Sequence, residues 1–401
     1  MYTKTTIDIR KNRIPPIVWI WLGQGVSTLG TGVYATALAW EIIRVTGSAL
    51  SMGLVLFISM IPKVIVSIYA GAFGDRFSKK KILLYADFVR AFLSIIWGIT
   101  LFFHQLTIYE VYIFTLIFGI VSAFFSPVYS SIIPDLIKDS KISKAVATNS
   151  LVFNISNVCA LAIGGVLISF FTFKIIIILN GLTFGIACIM NVLLPKTGVI
   201  PIKKKSIILD IKEGIRYFFQ EKVLFWSVFL ITLANIAVVS YQVNLAKYIQ
   251  VYREWGAPTY GFILSVYTIG SIISFFTFSL ITLRKYKGII YITCLLIGGI
   301  LFSFIPYTRA PWVLASVFFF IGASFSITSV ISTTILYEYT NEIYRGRVFG
   351  IASLASLLNP IGFLVWGAVG DLTNNYIVFI SASVIIISVS IIGYFTQLSR
   401  V

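Results

Sequence analysis

Two acids and one arginine sit in stretches where water is scarce. Asp87 and Arg90 lie in the apolar run 82–103, three residues apart and so one turn along the same helical face. At 1.5 Å per residue they are roughly 8–12 Å inside that run. Burying either charge alone costs about 2.5–3.5 kcal/mol on insertion scales, so the two are expected to neutralise each other, as a structural pair or as part of a coupling device. Glu41, near the far end of the run 15–43, is the other candidate for coupling. A carboxyl that takes up a proton when desolvated and gives it back when opened to water can drive a cycle; the plainer reading is an interfacial pair with Arg44. Lys63, directly after Pro62, either snorkels or takes part in a gate or polar cavity. Hydrolytic or metal chemistry has little to work with. His104 is the one histidine, and Cys159, Cys188 and Cys294 all lie in apolar runs, so neither a disulfide framework nor a metal site is expected, and no cofactor.

A second set of residues could hold a small molecule. Gln24, Thr28 and Thr31 follow one another at four and three residues; Phe125 and Tyr129 share a face, as do Asn154 and Asn157. Asn235 and Gln242 are seven apart with Tyr241 beside them, and Asn359 precedes Pro360. Any single amide is more often an interhelical hydrogen bond than a ligand contact. Sparse charge and abundant aromatics suit an amphiphilic or weakly cationic compound better than a sugar or a phosphate.

The elements carrying these residues are membrane spans. The chain is 58% hydrophobic with mean hydropathy +0.97, and 11% of it is charged against about 25% in a soluble domain. Twelve apolar runs approach or exceed the roughly 20 residues a spanning helix needs: 15–43, 48–73, 82–103, 110–134, 145–171, 173–194, 223–250, 259–283, 289–307, 312–337, 347–369 and 376–396. Of the 31 Lys and Arg, 24 fall in one alternating set of breaks and ends, and five in the other. That asymmetry predicts both termini in the cytoplasm. The net charge of +17 then belongs to loops facing anionic lipid and not to nucleic-acid binding. The first run is too long, and too interrupted by Gly23, Gln24 and Gly25, to be a cleaved signal.

The long break 195–222 divides the chain into six-helix bundles at 1–194 and 223–401. Ile208, Ile211, Ile215 and Phe218 mark an amphipathic helix in that linker. At an offset of 203 residues Gly119 meets Gly322, Ser130–Ser131 meets Thr333–Thr334, Asp135 meets Glu338, Ser150 meets Ser353 and Gly164 meets Gly367. The expected fold is an all-α polytopic membrane protein, twelve transmembrane helices in two six-helix pseudo-repeats.

Between runs two and three stands Gly71-Ala-Phe-Gly-Asp75-Arg76-Phe-Ser-Lys79-Lys80-Lys81. It resembles the G-x-L-A-D-R-x-G-R-R/K loop of the major facilitator superfamily, with Ser78 in place of the second glycine. Thr46-Gly-Ser48, Asp87-Phe-Val-Arg90-Ala, Asp210-Ile-Lys-Glu-Gly-Ile-Arg216 and Arg345-Gly-Arg347-Val narrow the resemblance to the macrolide-efflux and enterobactin-exporter branch. The resemblance implies that Gly71, Asp75, Arg76, Lys79 and Lys80 form a conformational lock, and that runs one, five, seven and eleven line the cavity. It further implies export of a hydrophobic or amphiphilic compound, such as a macrolide-type antibiotic, by alternating access and proton antiport.

Some of the pattern departs from the family. The antiporter G-P signature is missing from run five, no Arg lies in run four, and Thr31 stands where many relatives carry an acid. Antiport therefore rests on the resemblance alone. The expected setting is the plasma membrane of a bacterium, as a multi-pass monomer with a small-molecule substrate, protons and the lipid bilayer as partners. Rival readings are an exporter of an endogenous compound such as a siderophore or lysolipid, and a non-transporting membrane sensor or assembly partner.

Overall fold

The computed structural model describes residues 15–74, 78–137, 142–195, 215–281, 285–341, 344, 348–352 and 358–400. Twelve long helices are described: α1 Pro16–Thr46, α2 Ala49–Gly74, α3 Lys79–Thr100, α4 Ile108–Ile132, α5 Ile142–Phe170, α6 Phe173–Val192, α7 Lys222–Lys247, α8 Ala257–Leu280, α9 Lys287–Phe304, α10 Pro311–Tyr339, α11 Asn359–Leu372 and α12 Asn375–Tyr394. Ten of them are long and apolar enough to cross a membrane. The other two correspond to the first and eleventh apolar runs. α1 has 31 residues, but Gln24, Ser27, Thr28, Thr31 and the four glycines from Gly23 to Gly32 dilute its apolar character. The described part of α11 has 14 residues; it is preceded by helical 348–352, while 353–357 lie outside the described residues. The amphipathic linker helix falls largely outside them too, except that 215–220 are helical.

Two compact units form. One holds residues 1–41 and 58–203, the other 42–57 and 204–401. The division does not follow the linker alone: the last turn of α1, the turn after it and the first two turns of α2 cluster with the second unit. Gly47 makes that turn with φ +64°, a left-handed conformation that a side chain disfavours.

In the first unit, small residues let helices approach closely. A Cβ on Gly25 or Gly32 of α1 would meet Val152 or Ala160 of α5, at 3.2 and 2.5 Å; one on Gly23 or Gly30 would meet Met190 or Thr183 of α6. α1 is therefore notched on two sides. α3 lies against α6 through Gly98 and Gly181, whose added Cβ atoms would touch Ile178 and Ile95. An apolar cluster of Ile20, Leu83, Val128, Ile132 and Leu194 closes the end of this unit where α2 passes to α3.

In the second unit Leu230 and Ala234 of α7, Tyr291, Ile292 and Leu295 of α9, Ile331 and Ile335 of α10 and Val389 of α12 form one core. The 203-residue repeat is visible in packing. Gly119 of α4 presses on Pro62 and the Ser59 carbonyl of α2; its counterpart Gly322 of α10 presses on the Tyr267 carbonyl of α8. Lys79 of α3 pairs with Asp135 at 2.7 Å, and Lys287 of α9 pairs with Glu338 of α10. A third pair diverges, because Gly164 lies on α1 whereas Gly367 lies on the start of α2.

Candidate functional site

α3 is held so that Asp87 and Arg90 both point into the first unit. They are 1% and 7% exposed, and Arg90 Nη2 lies 2.5 Å from Asp87 Oδ1. Asn191 of α6 donates its Nδ2–H to the other carboxylate oxygen at 2.7 Å. The guanidinium is sandwiched between aromatic faces, 4.2 Å from the Phe125 ring centroid and 4.6 Å from that of Phe184. Cation–π contacts of this kind strengthen as water is removed. The charge pair is thus partnered by one Arg90–Asp87 hydrogen bond, the Ala86 carbonyl, the Asn191 amide and two rings.

The sequence treats Phe125 and the Asp87–Arg90 pair as separate features; the fold makes them one cluster. Phe125 also stacks on Tyr129 with centroids 5.6 Å apart, and the Tyr129 hydroxyl donates to Asn149 Oδ1 of α5. Asn191 and Phe184 are absent from the sequence reading. Nothing in run six marks them, because a lone Asn or Phe in an apolar helix carries no spacing signal.

The other candidates of the first unit are less concentrated. Gln24 donates to Thr28 Oγ1 at 3.0 Å, while its Oε1 is buried without a partner among the described residues. Thr31 turns back to the Ser27 carbonyl at 2.7 Å. Asn154 and Asn157 are both half-buried on α5, and Asn157 Oδ1 lies 3.7 Å from where a Cβ on Gly32 would stand. Glu41 is half-buried. Lys63 is exposed on α2.

Of the expected lock, Asp75 and Arg76 lie outside the described residues, and Gly71 is described only as part of α2. Lys79 and Lys80 are placed. Lys79 donates to Asp135 and to the Ser131 carbonyl at 2.9 Å. Lys80 reaches the Val192 and Leu194 carbonyls at 2.7 and 2.5 Å, where a cation also meets the negative end of α6. Both lysines therefore brace the ends of α4 and α6.

In the second unit Tyr241 of α7 packs against Tyr267 of α8 and Phe318 of α10, with centroids 5.2 and 5.6 Å apart. Asn235 and Gln242 are half-buried on α7. Asn359 opens α11 with its Oδ1 buried and unpartnered among the described residues. The groups on hand are amides, hydroxyls and aromatic rings, a set that holds an apolar body and one or two polar handles. No group of three or more His, Cys, Asp or Glu able to hold a metal occurs among the described residues.

The family profile described as Major Facilitator Superfamily matches residues 20–358. "Macrolide efflux protein A" of Streptococcus pyogenes is 24% identical over 387 residues, covering 93% of this chain and 94% of that protein. The "Staphyloferrin A transporter" of Staphylococcus aureus is 24% identical over 377 residues, covering 92% of each. Among solved structures, a bacterial homologue of the human lysosomal transporter Spinster, inward-facing and occupied, superposes with a TM-score of 0.73 at 13% identity, over 96% of this chain and 97% of that one.

Proposed function

The chain belongs to the Major Facilitator Superfamily, and from that premise we propose that it exports a hydrophobic or amphiphilic small molecule across the bacterial plasma membrane, by alternating access against inward proton flow. It is a multi-pass membrane transporter. The observation that carries export of such a compound is the end-to-end similarity to a macrolide efflux protein. The residues proposed to line the cavity support it, since they are amides, hydroxyls and aromatics.

In this proposal both termini and the α2–α3 connection face the cytoplasm, and the α1–α2 turn faces outward. The linker 195–222 joins the two six-helix bundles. Gln24, Thr28, Thr31, Asn154, Asn157, Asn235, Tyr241, Gln242 and Asn359 contact substrate, with Phe125 and Tyr129 at the edge of the cavity. Gly71, Asp75, Arg76, Lys79 and Lys80 act as the cytoplasmic lock. The coupling proton is carried by Glu41 or Asp87. The engagement of Asp87 by Arg90 and Asn191 favours a fixed, structural charge there, which makes Glu41 the first carboxyl to test.

A second reading has its own support. Similarity to a staphyloferrin A transporter favours export of an endogenous metal-chelating compound. A growth-inhibition panel in an efflux-deficient host, comparing the intact protein with Asp75→Asn, separates the two. Resistance to macrolides or other lipophilic drugs that is lost in the variant supports drug export. Equal sensitivity to every drug sinks it and leaves the endogenous compound.

A further inference from the structure

The end of the second unit that carries the α1–α2 turn holds an acid bound by four donors. Asp371, in the last turn of α11, accepts through Oδ1 from the Ala49 N–H and from Lys247 Nζ, both at 2.7 Å. Through Oδ2 it accepts from the Ser48 hydroxyl at 2.5 Å and the Leu50 N–H at 3.0 Å. Ser48 also accepts from the Ser51 N–H at 3.0 Å. The first N–H groups of a helix have no partner within the helix. Here three of them at the start of α2 are capped, two by a carboxylate borrowed from α11, whose charge also suits a helix N-terminus.

The surroundings are built for this contact. A Cβ on Gly53 of α2 would stand 2.3 Å from the Phe363 carbonyl of α11, and one on Gly367 would stand 2.8 Å from Leu50 Cα. Only glycine at both places lets the backbones come this near. Lys247 ends α7, and a π-turn at Tyr248–Tyr252 follows. Tyr248 donates to the Ile305 carbonyl at 2.9 Å, and Arg253 donates to Tyr248 and to the Pro306 carbonyl at 2.8 and 2.7 Å. The lysine therefore stands on a fixed mount. The sequence marks the place as well: Gly367-Ala-Val-Gly-Asp371 repeats Gly71-Ala-Phe-Gly-Asp75 at all but the middle position.

We infer that Asp371, with Lys247 and Ser48, is a releasable latch that holds residues 42–57 against the rest of the second unit. Release is chemically simple there. The side chain of Asp371 keeps 26% of its surface exposed, so water can take over the freed N–H groups, the ammonium and the carboxylate one for one. α1 and α2 each run on into the first unit, so freeing their ends lets those two helices move as whole rods. Opening and closing this end is half of an alternating-access cycle. The inference rests on that reading of the protein, but its test needs no substrate.

Spin labels are placed at Val45→Cys and Thr373→Cys after Cys159, Cys188 and Cys294 have been replaced by serine, and inter-label distances are measured in nanodiscs. The parent is expected to show a short-distance population. Asp371→Asn keeps one acceptor for the helix N-terminus but loses the charge and the second acceptor oxygen. It should raise the long-to-short ratio roughly tenfold, the scale of one lost charge-assisted hydrogen bond, at an unchanged unfolding midpoint. Ser48→Ala should raise it about two- to fivefold, and decides the matter if Asp371→Asn does not reach the membrane. An unchanged ratio in the variants that fold, or a parent with no short-distance population, overturns the latch. Loss of drug export with a normal distance response would count against the substrate assignment and leave the latch standing.

Discussion

Arg90→Met puts the buried charge cluster to the most direct trial. The substitution leaves the Asp87 carboxylate 1% exposed with one donor, Asn191, at 2.7 Å. It also removes the cation held between Phe125 and Phe184 at 4.2 and 4.6 Å. Removing one partner of a buried pair costs about 3–5 kcal/mol, because the remaining charge stays dry and uncompensated. Losing the ring contacts adds about 1–2 kcal/mol, as they are desolvated. Asp87→Leu combined with Arg90→Met takes away both charges and leaves side chains of similar bulk, and replacing a buried pair this way is often neutral or stabilising by about 1–4 kcal/mol. The single variant should therefore unfold far earlier than the parent, and the double variant should recover most of the loss. The assay is thermal unfolding of purified protein in detergent for the parent, the two single variants and the double. Equal stability of Arg90→Met and parent, or losses that simply add in the double variant, would refute the argument. Transport by a stable double variant then separates the roles: retained gradient-driven transport makes the pair structural, and selective loss of coupling makes it functional.

Three more outcomes follow from the same residues. Cysteines introduced at residues 200 and 400 should resist impermeant thiol reagents in intact cells while one at residue 374 labels; labelling of residue 200 from outside would invert the topology. In inside-out vesicles, substrate uptake should collapse with a protonophore and in Glu41→Gln or Asp87→Asn, whereas substrate-for-substrate exchange should survive in whichever variant has lost coupling alone; accumulation by both variants under a pH gradient removes the antiport assignment. Asp371 lies beyond the apolar run 347–369, and although partial burial pulls its carboxyl upward, hydrogen bonds from Lys247, Ser48, Leu50 and Ala49 outweigh this and hold it below the ordinary carboxylate value. A carboxyl lowered in this way contributes at every pH above about 4 and loses its effect only as pH falls through the lowered value, so the short label distance should persist from neutral pH to below about pH 4; opening near pH 6 would contradict it.

The spans were legible because bilayer thickness sets their length and lipid demands apolar surface, and both conditions are written into composition. The repeat was legible at Gly119 and Gly322, where a missing side chain is needed for the same contact twice. Asp87 and Arg90 were readable as a pair because helical spacing relates residues three apart. Their third partner was not. Asn191 comes to Asp87 from 104 residues away, across a helix contact that no local period encodes. The same limit hid Asp371, whose partners Ser48 and Lys247 lie 323 and 124 residues away in sequence; Lys247 stood out only as one cation in a basic-poor set of loops.

The notched face of α1 has a consequence for biogenesis. α1 precedes α5 and α6 in the chain, and its glycines and hydroxyls dilute its apolar character. The helices that fill its notches, α5 and α6, supply Val152, Ala160, Thr183 and Met190, and they are synthesised more than 100 residues later. Until then the glycine and hydroxyl surface of α1 has no matching protein face. Settled packing of α1 therefore has to wait for α5 and α6. α1 thus reaches its final surroundings only after helices far along the chain are made, and truncations ending before residue 142 should leave all its notches unfilled.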